Sequence, residues 1–119
     1  MPEQALVDVD HRTDAVVVRV HGDVDMANVE GVRNALIDAF DGSDTRHIVD
    51  LSDTTFLDSV GVHLLVSIAH GLRTRRRDMR IVVPESSPVG RVLSLMDVGH
   101  VVPMYADMET ALAAEDLAL

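Results

Sequence analysis

Val49-Asp50-Leu51-Ser52-Asp53-Thr54-Thr55-Phe56-Leu57-Asp58-Ser59-Val60-Gly61-Val62 is the stretch whose reading orders the rest of the chain. His47 to Leu51 forms a short apolar strand, Ser52 to Asp58 a polar connection, and Val60 to Arg73 a helix with Val62, Leu65, Val66 and Ala69 on one stripe. Ser59 falls at the N-cap or in the first turn of that helix. There the backbone N–H groups are unpaired and the dipole is positive, so an added phosphate is tolerated locally. Gly61 keeps the first turn slim, which leaves Ser59 open to a large partner. A plain capping serine, worth about 1 kcal/mol to the helix, is the better account of the local pattern taken alone. A catalytic serine is poorly supported: no G-x-S-x-G surrounds it and no histidine partner is identifiable.

Working outward, Leu6 to Asp10 alternates apolar and polar residues, and Ala15 to Val20 is nearly continuous β-branched sequence. Together they read as an antiparallel hairpin, broken at Gly22. Met26 to Phe40 changes to a helical period, with Asp25 placed to cap it and Asp41-Gly42-Ser43-Asp44 closing it. Met79 to Val83 is a strand stopped by Pro84, and Pro88 to Leu95 a short helix. Val101 to Tyr105 is an edge strand containing Pro103, and Asp107 to Leu117 a final helix capped by Asp107. The order β-β-α-β-α-β-α-β-α predicts one α/β domain over residues 1–119, with its core at about 6–117. Its sheet is mixed but mostly parallel, with four to five strands, an N-terminal hairpin and about four helices.

Composition narrows the function classes. The chain has 119 residues, 47% of them hydrophobic, and a formal charge of -10. That balance suits a packed core and argues against nucleic-acid binding, as does an aromatic set limited to Phe40, Phe56 and Tyr105. No cysteine is present, which excludes disulfides, thiolate chemistry and Cys-based zinc sites. All ten basic residues are arginine, which excludes lysine-based catalysis. Neither a signal peptide nor a membrane-spanning stretch is visible, so the expected setting is cytoplasmic. Residues 1–60 hold thirteen acids and four arginines, and residues 61–119 seven acids and six arginines, so the acidic half could face a complementary partner. His63 and His70, or Asp8, Asp10, Asp23 and Asp25, invite a metal reading, but no ligand spacing supports one. Arg73, Arg75, Arg76 and Arg77 read as a solvated helix end, and Met96, Met104 and Met108 as core filler or an adaptable surface.

Two motifs carry a family resemblance. Gly22-Asp23-Val24-Asp25 is similar to a G-[ED]-[LV]-D turn ahead of a first helix. Asp50-Leu51 followed by Phe56-Leu57-Asp58-Ser59-Val60-Gly61 is similar to a D-L-x5-[ILM]-D-S-[ST]-G signature. Pro88 to Leu93 and Thr110-Ala111-Leu112 add to the match, which runs over roughly Val7 to Leu112. The chain thus resembles the STAS-domain family of bacterial anti-sigma-factor antagonists. The resemblance implies a STAS-like fold and a non-enzymatic phosphorylation switch in transcription regulation. Unphosphorylated, such a protein binds an anti-sigma factor with serine-kinase activity and releases a sigma factor. Phosphorylation at the Ser59 position ends the complex, and a PP2C-type phosphatase restores it. ATP and magnesium would belong to the kinase, so this chain needs no cofactor of its own. The expected partner surface is Asp23, Asp25, Asp58, Ser59, Val60, Gly61 and Val62. Val60 departs from the pattern, which usually has a small hydroxyl residue there. The alternative within the family is an interaction subunit of a membrane transport or stress-signalling complex, with Ser59 purely structural.

Overall fold

A computed structural model describes residues 6–115. Residues 1–5 and 116–119 lie outside the described residues, and the last helix, expected to run to Leu117, already ends at Ala113, because Ala114 turns to extended backbone. Strand β1 (Leu6–His11) pairs antiparallel with β2 (Ala15–Val24), as the hairpin pattern predicts. Helix α1 (Val29–Phe40) leads to β3 (Arg46–Asp50), which lies parallel to β2. The strand β4 (Thr54–Leu57) then precedes α2 (Ser59–Thr74). Strand β5 (Met79–Val82), α3 (Pro88–Leu95), a 3-10 turn at Val98–His100, β6 (Met104–Tyr105) and α4 (Met108–Ala113) complete the order. The sheet runs β1-β2-β3-β5-β6, with β4 joined to β2, so six strands replace the expected four or five.

Strand periodicity sorts the β2 side chains onto two faces. Val16, Val18 and Val20 join the main core with Leu36 and Phe40 of α1, Leu64 and Leu65 of α2, and Val89 and Leu93 of α3. Ala15 and Val17 point the other way, into a small cluster with Ile48, Val82 and Ala111 under α4. Both faces of the central strands are therefore covered, which explains their near-continuous apolar sequence.

Several boundaries differ from the periodicity reading, each for a local reason. Strand β2 does not stop at Gly22: that residue takes φ +87° and pairs with Thr54 of β4, and the register shifts between Gly22 and Asp23 as the pairing continues to Val24. Helix α1 starts at Val29 rather than Met26. The Asp25 carboxylate accepts from the Ala27 N–H and its carbonyl from the Asn28 and Val29 N–H groups, which closes a turn first. Asp25 therefore orders the entry turn, and Asn28 occupies the cap position. The strand expected over Val101–Tyr105 shrinks to Met104–Tyr105, because the Val101 and Val102 N–H groups both donate to the Val98 carbonyl. Asp107 does cap α4, accepting from the Thr110 N–H at 2.8 Å.

Candidate functional site

The junction of β2, β4 and α2 gathers most of the motif residues at one end of the domain. Strand β4 lies parallel to the tail of β2, setting Asp23 beside Phe56 and Val24 beside Leu57. The Thr55 hydroxyl donates to the Asp23 carboxylate, and the Asn28 amide donates to the Asp23 carbonyl. The Asp58 N–H then donates to the Val24 carbonyl at 3.3 Å, which brings Asp58 next to the peptide of Asp25. The adjoining ends of β2 and β4 thus hold three aspartates near the start of α2.

Asp58, not Ser59, is the N-cap. Its backbone is extended and its Oδ1 accepts from the Gly61 N–H at 3.0 Å. Aspartate and serine cap about equally well, but the Val24 contact favours the extended backbone at Asp58, and its charge suits the helix N-terminus. Ser59 is the first helical residue and is exposed, with its hydroxyl free of capping duty. Asp58→Ala should therefore cost about 1 kcal/mol of stability while Ser59→Ala costs almost nothing, a contrast that paired urea unfolding curves will read.

Gly61 and Val62 are both buried. A Cβ on Gly61 would stand 2.4 Å from Leu57 Cδ1 and 3.2 Å from Val24 Cγ1. The glycine lets the first turn of α2 pack against the strand ends beneath it, and does not open a path to Ser59 as its position in the motif suggests. Val62 points into the main core. Both therefore support the rim from below, and the residues it presents are Asp23, Asp25, Asp58, Ser59 and Val60. Two further residues escaped the sequence reading: Phe56 on β4 is 50% exposed and Met26, in the turn after β2, is 76% exposed. Burial along Thr54-Thr55-Phe56-Leu57 does not alternate, since Thr55 and Phe56 are both exposed between buried Thr54 and Leu57, so the sequence held no periodic signal for Phe56.

Asp50, at the end of β3, fixes the loop that leads into β4. Its Oδ1 accepts from the Ser52 N–H at 2.9 Å and its Oδ2 from Arg19 Nε at 3.0 Å. Burial pushes its carboxyl upward, but the hydrogen bonds from Ser52 and the Arg19 guanidinium outweigh this and hold it below the ordinary value. At the other end of β3, burial pushes the His47 imidazole below its ordinary 6.5, and the Arg77 charge acts the same way against the carbonyls of Ser43 and Phe40. Both shifts mean that the unfolded chain binds more protons, so stability falls as pH falls. The His47 contribution is intact above about pH 6.5 and is lost as pH drops through its folded value. The Asp50 contribution is lost only below about pH 4. Urea midpoints between pH 8 and pH 3 should show two successive declines, and the His47 ring resonance should titrate with a midpoint below that of a free histidine.

Among the described residues, no group of three or more His, Asp or Glu side chains is arranged to hold a metal ion, and no helix is long and apolar enough to cross a membrane. His63 and His70 are exposed on α2. Asp8 is instead hydrogen-bonded to His21 Nε2 at 2.9 Å, and Asp10 forms an ion pair with Arg12 at 2.9 Å.

Comparison with known proteins agrees with this layout. The chain is 26% identical over 108 residues to the anti-sigma-F factor antagonist RsfA of Mycobacterium tuberculosis, covering 89% of this chain and 84% of that protein. An anti-sigma factor antagonist from Mycobacterium paratuberculosis superimposes with a TM-score of 0.77 at 22% identity, covering 91% of each chain. The Bacillus cell fate determinant SpoIIAA in its phosphorylated form gives 0.63 at 25% identity, covering 89% of this chain and 96% of that one. The STAS domain family model matches residues 7–111, a span that takes in the hairpin, the bulged β2–β4 pairing and the Asp58-capped helix, and the chain belongs to the STAS domain family.

Proposed function

We propose that this chain is an anti-sigma-factor antagonist switched by phosphorylation of Ser59, and not an enzyme. In the unphosphorylated form it binds an anti-sigma factor with serine-kinase activity in the cytoplasm, and a sigma factor is released. The single observation that carries this reading is the exposed Ser59 hydroxyl on the first turn of α2, relieved of capping by Asp58 where the ends of β2 and β4 also expose Asp23, Phe56 and Met26. Apolar Phe56 and Met26 supply surface for a partner to cover, and the aspartates supply its charge complement. The similarity to RsfA, and to SpoIIAA in its phosphorylated form, supports the same reading.

Phosphate adds about -1.5 to -2 charges at neutral pH. Here it joins a rim already holding Asp23, Asp25 and Asp58, so repulsion and desolvation at the interface suffice for release without refolding. A PP2C-type phosphatase restores the binding form. Val60, half-buried beside Ser59, replaces the hydroxyl residue usual in the family and bears on partner choice.

The test is a pull-down from native lysate with the wild type and Ser59→Asp as baits, read by mass spectrometry. A kinase-fold anti-sigma factor held by the wild type and lost by the variant supports the switch. A partner held equally by both, such as a membrane permease, assigns Ser59 a structural role and the chain to a transport or signalling scaffold.

A further inference from the structure

Helix α2 ends at Thr74, roughly 22 Å from Ser59 at 1.5 Å per residue. Two adjoining clefts lie at that end. One, of about 260 Å3, runs between α1 and α2 and is walled mainly by Leu36, Ile37, Phe40, Ile68 and Leu72. The other, of about 150 Å3, has a mixed polar and apolar lining and is bounded by the α1–β3 turn, His47 and Arg77. Phe40, Leu72 and Arg75 belong to both.

Two polar groups in these clefts have little to do within the fold. Arg75 is largely exposed, and among the described residues its one ion-pair contact is Asp41 at 4.0 Å, whereas Arg77 is closely paired with Asp44. His47 is 1% exposed, and its Nε2 has no hydrogen-bond partner. The ring meets the edge of Phe40 at 4.9 Å, and the carbonyls of Ser43 and Phe40 act on it as hydrogen-bond acceptors; with Nε2 unpartnered, the proton that meets them is assigned to Nδ1. A ring whose Nδ1–H donates to a carbonyl presents Nε2 as an acceptor. The pair thus offers a cation for a carboxylate and a buried acceptor for a hydroxyl, beside an apolar trough.

We propose that these clefts bind a hydroxylated organic acid with a hydrocarbon body. The carboxylate lies on Arg75, the hydroxyl donates to His47 Nε2, and the chain lies along Ile37, Phe40 and Ile68. Free acid, not a bilayer, is the source, because the formal charge of -10 opposes an anionic membrane surface. The site is separate from the Ser59 rim and does not depend on the switch reading.

The experiment is a 15N-HSQC titration of the intact protein with 3-hydroxyoctanoate, octanoate and 1-octanol as probes. Saturable shifts confined to Leu36, Ile37, Phe40, Ile68, Gly71 and Arg75 are expected for 3-hydroxyoctanoate. Octanoate should bind several-fold more weakly, and octanol or the Arg75→Gln variant at least about tenfold more weakly. Arg75 is exposed, so that variant should fold; Gly71→Leu, where an added Cβ meets nothing within 4 Å, provides a second variant that narrows the trough. Failure to saturate by about 5 mM, shifts located elsewhere, or equal binding of acid and alcohol overturns the site. Equal affinity for octanoate and its 3-hydroxy form overturns the role of His47 and with it the hydroxy-acid assignment. Co-sedimentation with phosphatidylglycerol vesicles overturns the free acid as the source.

Discussion

Replacing Gly90 by alanine should lower the thermal midpoint by roughly 10–15 °C, the equivalent of about 3 kcal/mol, as read by calorimetry. Gly90 lies in the first turn of α3, where the chain doubles back over the end of β5. A Cβ there would stand 2.4 Å from the Pro84 carbonyl oxygen and 3.4 Å from that of Glu85. Both are backbone atoms, so no side-chain rotation relieves the clash. The helix must lift away instead. Lifting it disturbs the Ser87 hydroxyl, which donates to the Pro84 carbonyl at 2.8 Å and accepts from the Gly90 N–H at 3.0 Å. It also draws Val89 and Leu93 out of the main core. Gly61 presents an equally short contact, but against the tip of the Leu57 side chain, which can rotate. Gly61→Ala should therefore cost clearly less than Gly90→Ala, and a reversed order would show that α3 is free to shift on the sheet.

Ser59→Glu should weaken binding to the anti-sigma factor captured by the wild type about a hundredfold, or roughly 3 kcal/mol, while Ser59→Ala stays within a factor of about three. The two variants differ in charge and not in their effect on the fold, because Asp58 alone caps α2. Their unfolding midpoints should therefore coincide. A new carboxylate at residue 59 would lie against the Asp58, Asp25 and Asp23 rim, and any partner group that pairs with that rim must accommodate the surplus. Raising salt should recover part of the loss, since exposed charges are screened over about 8–10 Å. Phe56→Ala provides the apolar counterpart: it should also lose binding, but with no salt dependence, because it removes contact area and not charge. Calorimetric titration at two ionic strengths separates the effects, and an affinity indifferent to charge at residue 59 would sink the switch.

The long elements were legible because their apolar residues repeat at a clear period. The β1–β2 hairpin and the stripes of α1 and α2 follow directly from it. Strand β4 was not legible: four residues inside a polar connection have too little length to show alternation, and their pairing depends on a bulge at Gly22 that only the fold supplies. The same gap hid Phe56, since its exposure follows from Leu57 taking the inner face. At the site, Asp23, Asp25, Asp58 and Ser59 were named from the motif. The division of labour between Asp58 and Ser59 was not, because two good capping residues stand side by side and tertiary contact with Val24 decides between them. Gly61 and Val62 were read as surface because a motif marks positions and not the direction in which they face.

The far side of the sheet is thinly covered. Helix α4 has six residues and only Ala111 fully buried, with Tyr105, Met108 and Leu112 packed at its margin. Buried Arg80 reaches across from β5 to the carbonyls of Ala111 and Glu115, holding the helix by its C-terminal end. So small an apolar cluster makes α4 a candidate for opening on its own, ahead of the valine-rich centre of the sheet. Amide hydrogen exchange would then register two populations, with α4 amides exchanging at a lower free energy than those of β2 and β3. Arg80 would act as a latch that sets how far apart those two energies lie.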